Sequence, residues 1–217
     1  MTPDCERLLN ILKLWHMDTN LGKIVDYLLL KSSYMCNVGL FHGKMGVAVT
    51  LFLHARKNQD SLLEEYAWDL FSQVYEGLHD AMPLGLEEGL AGIGYGTVVL
   101  CKNGFGDCDL NSILVELDTK IMEYDPRRVA DQTLRSGMDG VRLYIRERSG
   151  LSCPMTTFDT SYLEELGLER LAHKEHHREA IPLDILEKPE FGIDDYPGQS
   201  LGIDRGMSYY VLNALQS

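Results

Sequence analysis

A glycine-rich phrase that occurs four times does most to constrain how this chain can fold. Its fullest copy is Gly39-Leu40-Phe41-His42-Gly43-Lys44-Met45-Gly46, followed by an apolar run from Val47 to Leu53 with only Thr50 inside it. Glycine lets the backbone bend tightly and leaves room for another backbone to come close. The run that follows is too apolar all round for a surface helix, which would show a polar face. At about ten residues it is also short of the roughly 20 needed to span a bilayer. The stretch therefore predicts a buried helix that starts at a crowded glycine bend.

Gly85-Leu86-Glu87-Glu88-Gly89-Leu90-Ala91-Gly92-Ile93 is a second copy. Leu134-Arg135-Ser136-Gly137-Met138-Asp139-Gly140-Val141 is a third, without the first glycine. Gly202-Ile203-Asp204-Arg205-Gly206-Met207-Ser208 keeps the front half and lacks the last glycine. From Gly43 to Gly89, Gly137 and Gly206 the steps are 46, 48 and 69 residues. A period near 45 is the mark of a repeat architecture, in which each unit buries its apolar face only against its neighbours.

Between the bends the helical periodicity changes character. Residues 4–15 and a segment through Ile24 to Leu29 read as amphipathic helices before the first bend. After the first buried helix, Asp60 is placed to cap a long amphipathic helix reaching about His79, with Leu62, Leu63, Tyr66, Leu70, Val74 and Leu78 at helical spacing. A second apolar helix, Leu90 to about Cys101, is followed by an acidic-surfaced one through Ile113, Leu114, Leu117 and Ile121, with Asp109 as its cap. The third inner segment, Val141 to about Ile145, is shorter. Residues 149–200, interrupted by Pro154, Pro182, Pro189 and Pro197, fit the pattern worst, with a polar helix expected over 162–178. Met207 to Leu215 closes the chain as a last inner helix. No strand alternation is sustained, so the expected fold is all-α. It is a single domain of about four helical-hairpin repeats near 34–80, 81–125, 130–180 and 198–217.

The formal charge of −13 argues against nucleic acid or an anionic membrane as partner, since both select basic faces. It suits a cationic peptide or a sugar equally. Five scattered cysteines without a C-x-x-C pair read as reduced thiols, and the acidic N-terminus is unlike a signal peptide, so a cytoplasmic location is expected.

Tandem hairpins with G-[LI]-x-x-G bends before each inner helix resemble the lanthionine synthetase C-like (LanC-like) family. The resemblance rests on residues 39–46 and 85–92, with Leu63-Glu64-Glu65-Tyr66-Ala67 and Gly104-Phe105-Gly106-Asp107 as further echoes. It covers about residues 38–147 and, more faintly, 200–215. It implies a partial (α/α) toroid, with inner helices around a central hollow and outer helices behind them. In the family that hollow holds zinc, which activates peptide cysteines for addition to dehydrated serine or threonine. This chain departs from the pattern at the metal. The family's Trp-Cys-x-Gly and Cys-His-Gly phrases are absent, and no cysteine precedes any of the four equivalent glycines. Catalytic zinc takes about three protein ligands, so no cofactor and no metal site is expected. Family cyclases are also built from more hairpins than the roughly four that 217 residues hold.

The residues one and two places before each second glycine are expected at the mouth of the hollow, beside helix N-termini whose free amides and dipole favour anions. His42 is the leading candidate for acid/base chemistry, because imidazole titrates near neutral pH and the family keeps a His-Gly at one bend. Glu88 is its candidate partner as a catalytic carboxylate. Glu87, Arg135, Asp204 and Arg205 are candidate substrate-binding residues. Glu87 and Glu88 also suit the first turn of a helix as plain N-terminal acids. His173, His176 and His177 have helical ligand spacing within a solvated stretch, Cys101 and Cys108 sit seven apart, and Tyr209-Tyr210 read as core.

The expected function is thus a LanC-like role in processing a ribosomally made peptide, by thioether-type modification or by peptide binding, with a peptide or a partner enzyme as ligand. One alternative is a carbohydrate-active toroid enzyme pairing Glu87 or Glu88 with Asp139 or Asp204. Another is a non-catalytic half-ring, completed by a second copy as a homodimer.

Overall fold

The computed structural model describes residues 20–106, 108–151, 158–168 and 181–217. Residues 20–31 (α1) are helical, followed by α2 (Lys44–Asn58), α3 (Ser61–Glu76), α4 (Leu90–Lys102), α5 (Cys108–Met122), α6 (Met138–Ser149), the short α7 (Thr160–Glu165) and α8 (Ser208–Gln216). No strand occurs among the described residues, and the all-α fold with helical-hairpin packing is as the periodicity predicts. None of these helices is long and apolar enough to cross a membrane.

The division between buried and amphipathic helices is a matter of which faces are covered. In α4 every residue from Leu90 to Leu100 is buried, and α2 is buried from Lys44 through Phe52. Helix α3 buries only one stripe, Leu63, Ala67, Leu70, Phe71 and Val74, against α2, and α5 lies likewise against α4. Asp60 caps α3 as expected, accepting from Leu63 N at 3.0 Å. Helix α2 also packs on α4 and α8, and α4 on α6. Phe52, Trp68 and Phe71 meet edge-on within the first hairpin, and Phe52 also contacts Phe105, in the loop after α4, at a tilt of 51°.

Helices α3 and α6 end at Glu76 and Ser149, the first short of His79 and the second beyond Ile145. Helix α5 starts at Cys108, one residue before the expected cap. The expected helices over 4–15 and most of 162–178 lie outside the described residues.

Each bend is closed in the same way. The first amide after the second glycine donates to a carbonyl seven residues back: Lys44 to Asn37, Leu90 to Pro83, Met138 to Asp131 and Met207 to Ser200. Asn37, Pro83, Asp131 and Ser200 are all turn formers, and Asn37 and Asp131 each accept from the backbone two residues on. The second glycine is required by this closure: a Cβ on Gly43, Gly89, Gly137 or Gly206 would lie 2.3–2.4 Å from backbone atoms of its own bend.

The bends also bond to one another in a row. Ile203 N and Asp204 N donate to Phe41 O, Phe41 N to Glu87 O, and Glu87 N to Arg135 O. The row therefore runs fourth, first, second, third. The outer glycines serve this lateral contact. A Cβ on Gly39 would stand 2.5 Å from Glu88 Cα in the next bend, one on Gly85 2.5 Å from Ser136 Cα, and one on Gly202 2.4 Å from Phe41 O. The third bend, which has Thr133 at this place, is the end of the described row on that side. Gly46, Gly92 and Gly140 face the opposite neighbour, against Ile203, Leu40 and Leu86. The fourth bend, at the other end, carries Tyr209 there. The two missing glycines fall at the two ends of the row.

Candidate functional site

Because the bends are equivalent and laterally bonded, the residue two before each second glycine comes to one place. These are Phe41, Glu87, Arg135 and Asp204. Asp204 is buried, 1% exposed, and a buried carboxylate needs a partner for its charge. Arg135 supplies it as a two-pronged fork, with Nη1 to Oδ2 and Nη2 to Oδ1 both at 3.0 Å, the geometry that suits guanidinium to carboxylate. Arg135 lies at one end of the row and Asp204 at the other, so this ion pair bridges all four bends. The guanidinium also approaches Glu87 Oε1 at 3.5 Å and Glu187 at 3.2 Å, and sits 5.0 Å from the centre of the Phe41 ring. These contacts, above all the hydrogen bonds to Asp204, hold Arg135 further above its ordinary range.

His42 joins from the neighbouring position of the first bend. Its Nε2 is 2.8 Å from Glu87 Oε1 and 3.6 Å from Asp204 Oδ2. His42 and Glu87 keep 32% and 26% of their side-chain surface open to solvent, so this pair can meet a ligand where Asp204 cannot. When Nε2 carries the proton it donates to Glu87, and Nδ1 is left as the acceptor for a proton from outside. That arrangement is a His–carboxylate acid/base pair.

The expected catalytic partnership of His42 with Glu88 is not what the geometry provides. Glu88 is exposed and accepts from Asn37 Nδ2 at 2.9 Å, so Glu87 is the carboxylate beside the imidazole. Glu88 instead lines a cleft of about 270 Å³ with Glu87, Arg135, Ser136 and Pro83, adjoining the cluster. Arg205 turns outward, at a positive φ of 52°, and pairs with Glu187. Asp139 is exposed and pairs with Arg142 at 2.8 Å, away from the other carboxylates. The first amides of the buried helices are not free for anions, since the closing bonds of the bends use them. Tyr209 and Tyr210 pack edge-on, partly buried against the core. His173, His176 and His177 lie outside the described residues, as does the Cys108 side chain.

Glu187 is the residue that sequence reasoning misses. It comes from the proline-interrupted segment, outside any repeat. Its backbone N–H donates to Asp204 Oδ1 at 2.6 Å, its carbonyl accepts from Arg205 N, and its side chain meets both arginines. No local pattern marks it.

The resemblance implies zinc, and the donors can be tested against it. His42, Glu87 and Asp204 each offer one ligand atom within 4.8 Å of the others, a nitrogen and two carboxylate oxygens of the kind zinc accepts. The guanidinium, however, already binds both oxygens of Asp204 and lies on Glu87. Two like unit charges 4 Å apart repel by about 4 kcal/mol at an effective dielectric of 20, and a dication doubles this. With Arg135 in place, zinc does not fit. Comparison with family models, curated proteins and solved structures returns no match.

Proposed function

We propose that this chain is a LanC-like helical-repeat protein, a partial toroid that works in the cytoplasm on the processing of a ribosomally made peptide. The observation that carries the reading is the convergence of His42, Glu87, Arg135 and Asp204 from four separate bends. Such a convergence supports the shared mouth that the resemblance implies. The peptide would lie in the cleft beside Glu87 and Glu88, whose carboxylates favour basic side chains. His42 is the group placed to move a proton to or from it, with Glu87 holding the ring. No step here runs through a metal.

The carbohydrate reading has less support. Glu87 and Asp204 bring oxygens within 4.8 Å of each other, near the separation of about 5–5.5 Å used by retaining enzymes. Yet Asp204 is buried with both oxygens engaged, so it cannot deliver a proton to a sugar. A homodimer that completes the ring, or a half-ring scaffold, would have to dock against ends of the row that lack the glycine used in lateral contact.

The test uses synthetic peptides carrying cysteine and dehydroalanine, with basic and acidic versions of each. Binding is followed by fluorescence anisotropy, and thioether formation by loss of the N-ethylmaleimide mass adduct. Saturable binding of the basic peptides, weakened about tenfold by Glu87→Gln, supports the reading. Loss of the adduct that disappears in His42→Ala would add catalysis to it. If no peptide binds and no thiol is consumed, the reading fails.

A further inference from the structure

We propose that Arg135 stands in for a metal ion: its guanidinium fills the cation position of the His42–Glu87–Asp204 cluster, and removing that charge opens a zinc-binding site. The inference concerns the cluster alone and is independent of the peptide reading.

Three observations carry it. The first is the donor set, one imidazole nitrogen and two carboxylate oxygens within 4.8 Å, contributed by three different bends. A set of this size is what a catalytic zinc site takes from a protein, with a position left open. The second is where the guanidinium sits. It touches both oxygens of Asp204 at 3.0 Å and Glu87 Oε1 at 3.5 Å, the oxygens a metal would need. A planar guanidinium brings a positive charge and enough donors to meet two carboxylates at once. The third is the burial of Asp204. A carboxylate that is 1% exposed must keep a cation beside it, because an uncompensated charge there is costly. Without Arg135, Asp204 retains a backbone donor in Glu187 N–H, but no cation forked to its oxygens. A divalent ion is then drawn to the vacated position, with His42 and Glu87 already facing it.

The experiment is a zinc titration of the full chain by calorimetry, with cobalt(II) absorption as a second readout of His and carboxylate ligation. Wild type and Arg135→Lys, which keeps the charge, are expected to show no zinc binding tighter than about 1 mM that depends on His42. Arg135→Met, which keeps the stem and loses the charge, is expected to bind one zinc at least about 100-fold more tightly. Its thermal unfolding should rise with added ZnCl2 while that of wild type does not. Adding His42→Ala to Arg135→Met should remove the gain, and zinc held elsewhere on the chain cancels in that difference. Should Arg135→Met not fold alone, refolding in ZnCl2 is expected to restore its helical circular dichroism, and no recovery would count against the proposal. Micromolar zinc binding by wild type that is lost in His42→Ala would overturn it. So would a folded Arg135→Met that binds zinc no better than wild type.

Discussion

Two Arg–Asp pairs in this molecule have the same chemistry and opposite surroundings. Arg148 and Asp118 join α6 to α5 at 3.3 Å with side chains 1% and 0% exposed. Tyr144 donates to the other oxygen of Asp118 at 2.5 Å, and Arg148 reaches Asn111 at 3.0 Å. That group holds a hairpin to its neighbour and is sealed from any ligand. Arg135 and Asp204 join the two ends of the bend row, with the arginine 31% exposed and the accessible His42 and Glu87 beside it. A charge pair inside a helix interface fixes packing. The same pair at convergent chain reversals, with an imidazole and open surface next to it, can also present groups to a ligand. Burial of both partners, and not the pairing itself, separates the two roles.

The largest effect should come from breaking the sealed pair. Asp118→Asn takes the carboxylate from Arg148 and Tyr144, and is expected to cost about 3–5 kcal/mol in urea unfolding, with no specific change in peptide binding. An equal loss from Arg135→Met would show that the mouth is as tightly sealed as the interface and break the comparison. Gly89→Ala comes next, at about 3 kcal/mol or more. Its Cβ would lie 2.3 Å from Pro83 O, a backbone atom that cannot turn aside. Arg135→Met itself should cost about 2–3 kcal/mol, since its arginine is partly solvated. Unlike Asp118→Asn, it should alter ligand binding at the mouth.

A pH test sharpens the same contrast. Burial, and then the Asp118 carboxylate, push the Tyr144 phenol well above its ordinary value, and burial raises Tyr162 likewise. Below about pH 10 both phenols are protonated whether the chain is folded or not. Above it the unfolded chain loses these protons first. Stability should therefore fall by about 1.4 kcal/mol per pH unit for each phenol, until the folded values are reached. In Tyr144→Phe, alkaline titration of stability by circular dichroism should lose one phenol's share of this slope. An unchanged slope would mean that Tyr144 does not resist ionisation. The smallest effect is a control on the glycine argument. Gly22 lies exposed in α1 with nothing near its missing Cβ, so Gly22→Ala should stabilise by about 1 kcal/mol. The contrast in sign with Gly89→Ala separates glycines that the bends require from one that only weakens a helix.

Much of this was legible in the residue order. The largely apolar runs after Gly46 and Gly89 marked buried helices, and the stripe through Leu63, Leu70 and Val74 marked an amphipathic one packed against them. His42, Glu87, Arg135 and Asp204 were picked out because a repeat places equivalent positions in equivalent settings. The choice of Glu88 over Glu87 as the partner of His42 was not legible. Neighbours in a bend point in different directions, and only the lateral bond between Phe41 N and Glu87 O settles which one faces the imidazole. Glu187 was invisible because its role depends on where an irregular segment crosses the bends.

By itself the sequence determined the helices, their burial and the closure of each bend. Those follow from local properties: helical periodicity, turn-forming residues and the absence of a side chain where the backbone meets itself. Only the tertiary structure decided the order of the bends, fourth beside first and third at the far end, because that order is set by hydrogen bonds between residues far apart in the chain. The glycines missing at position 133 and position 209 carried this information all along. They could be understood only once it was known which sides of which bends have no neighbouring bend among the described residues.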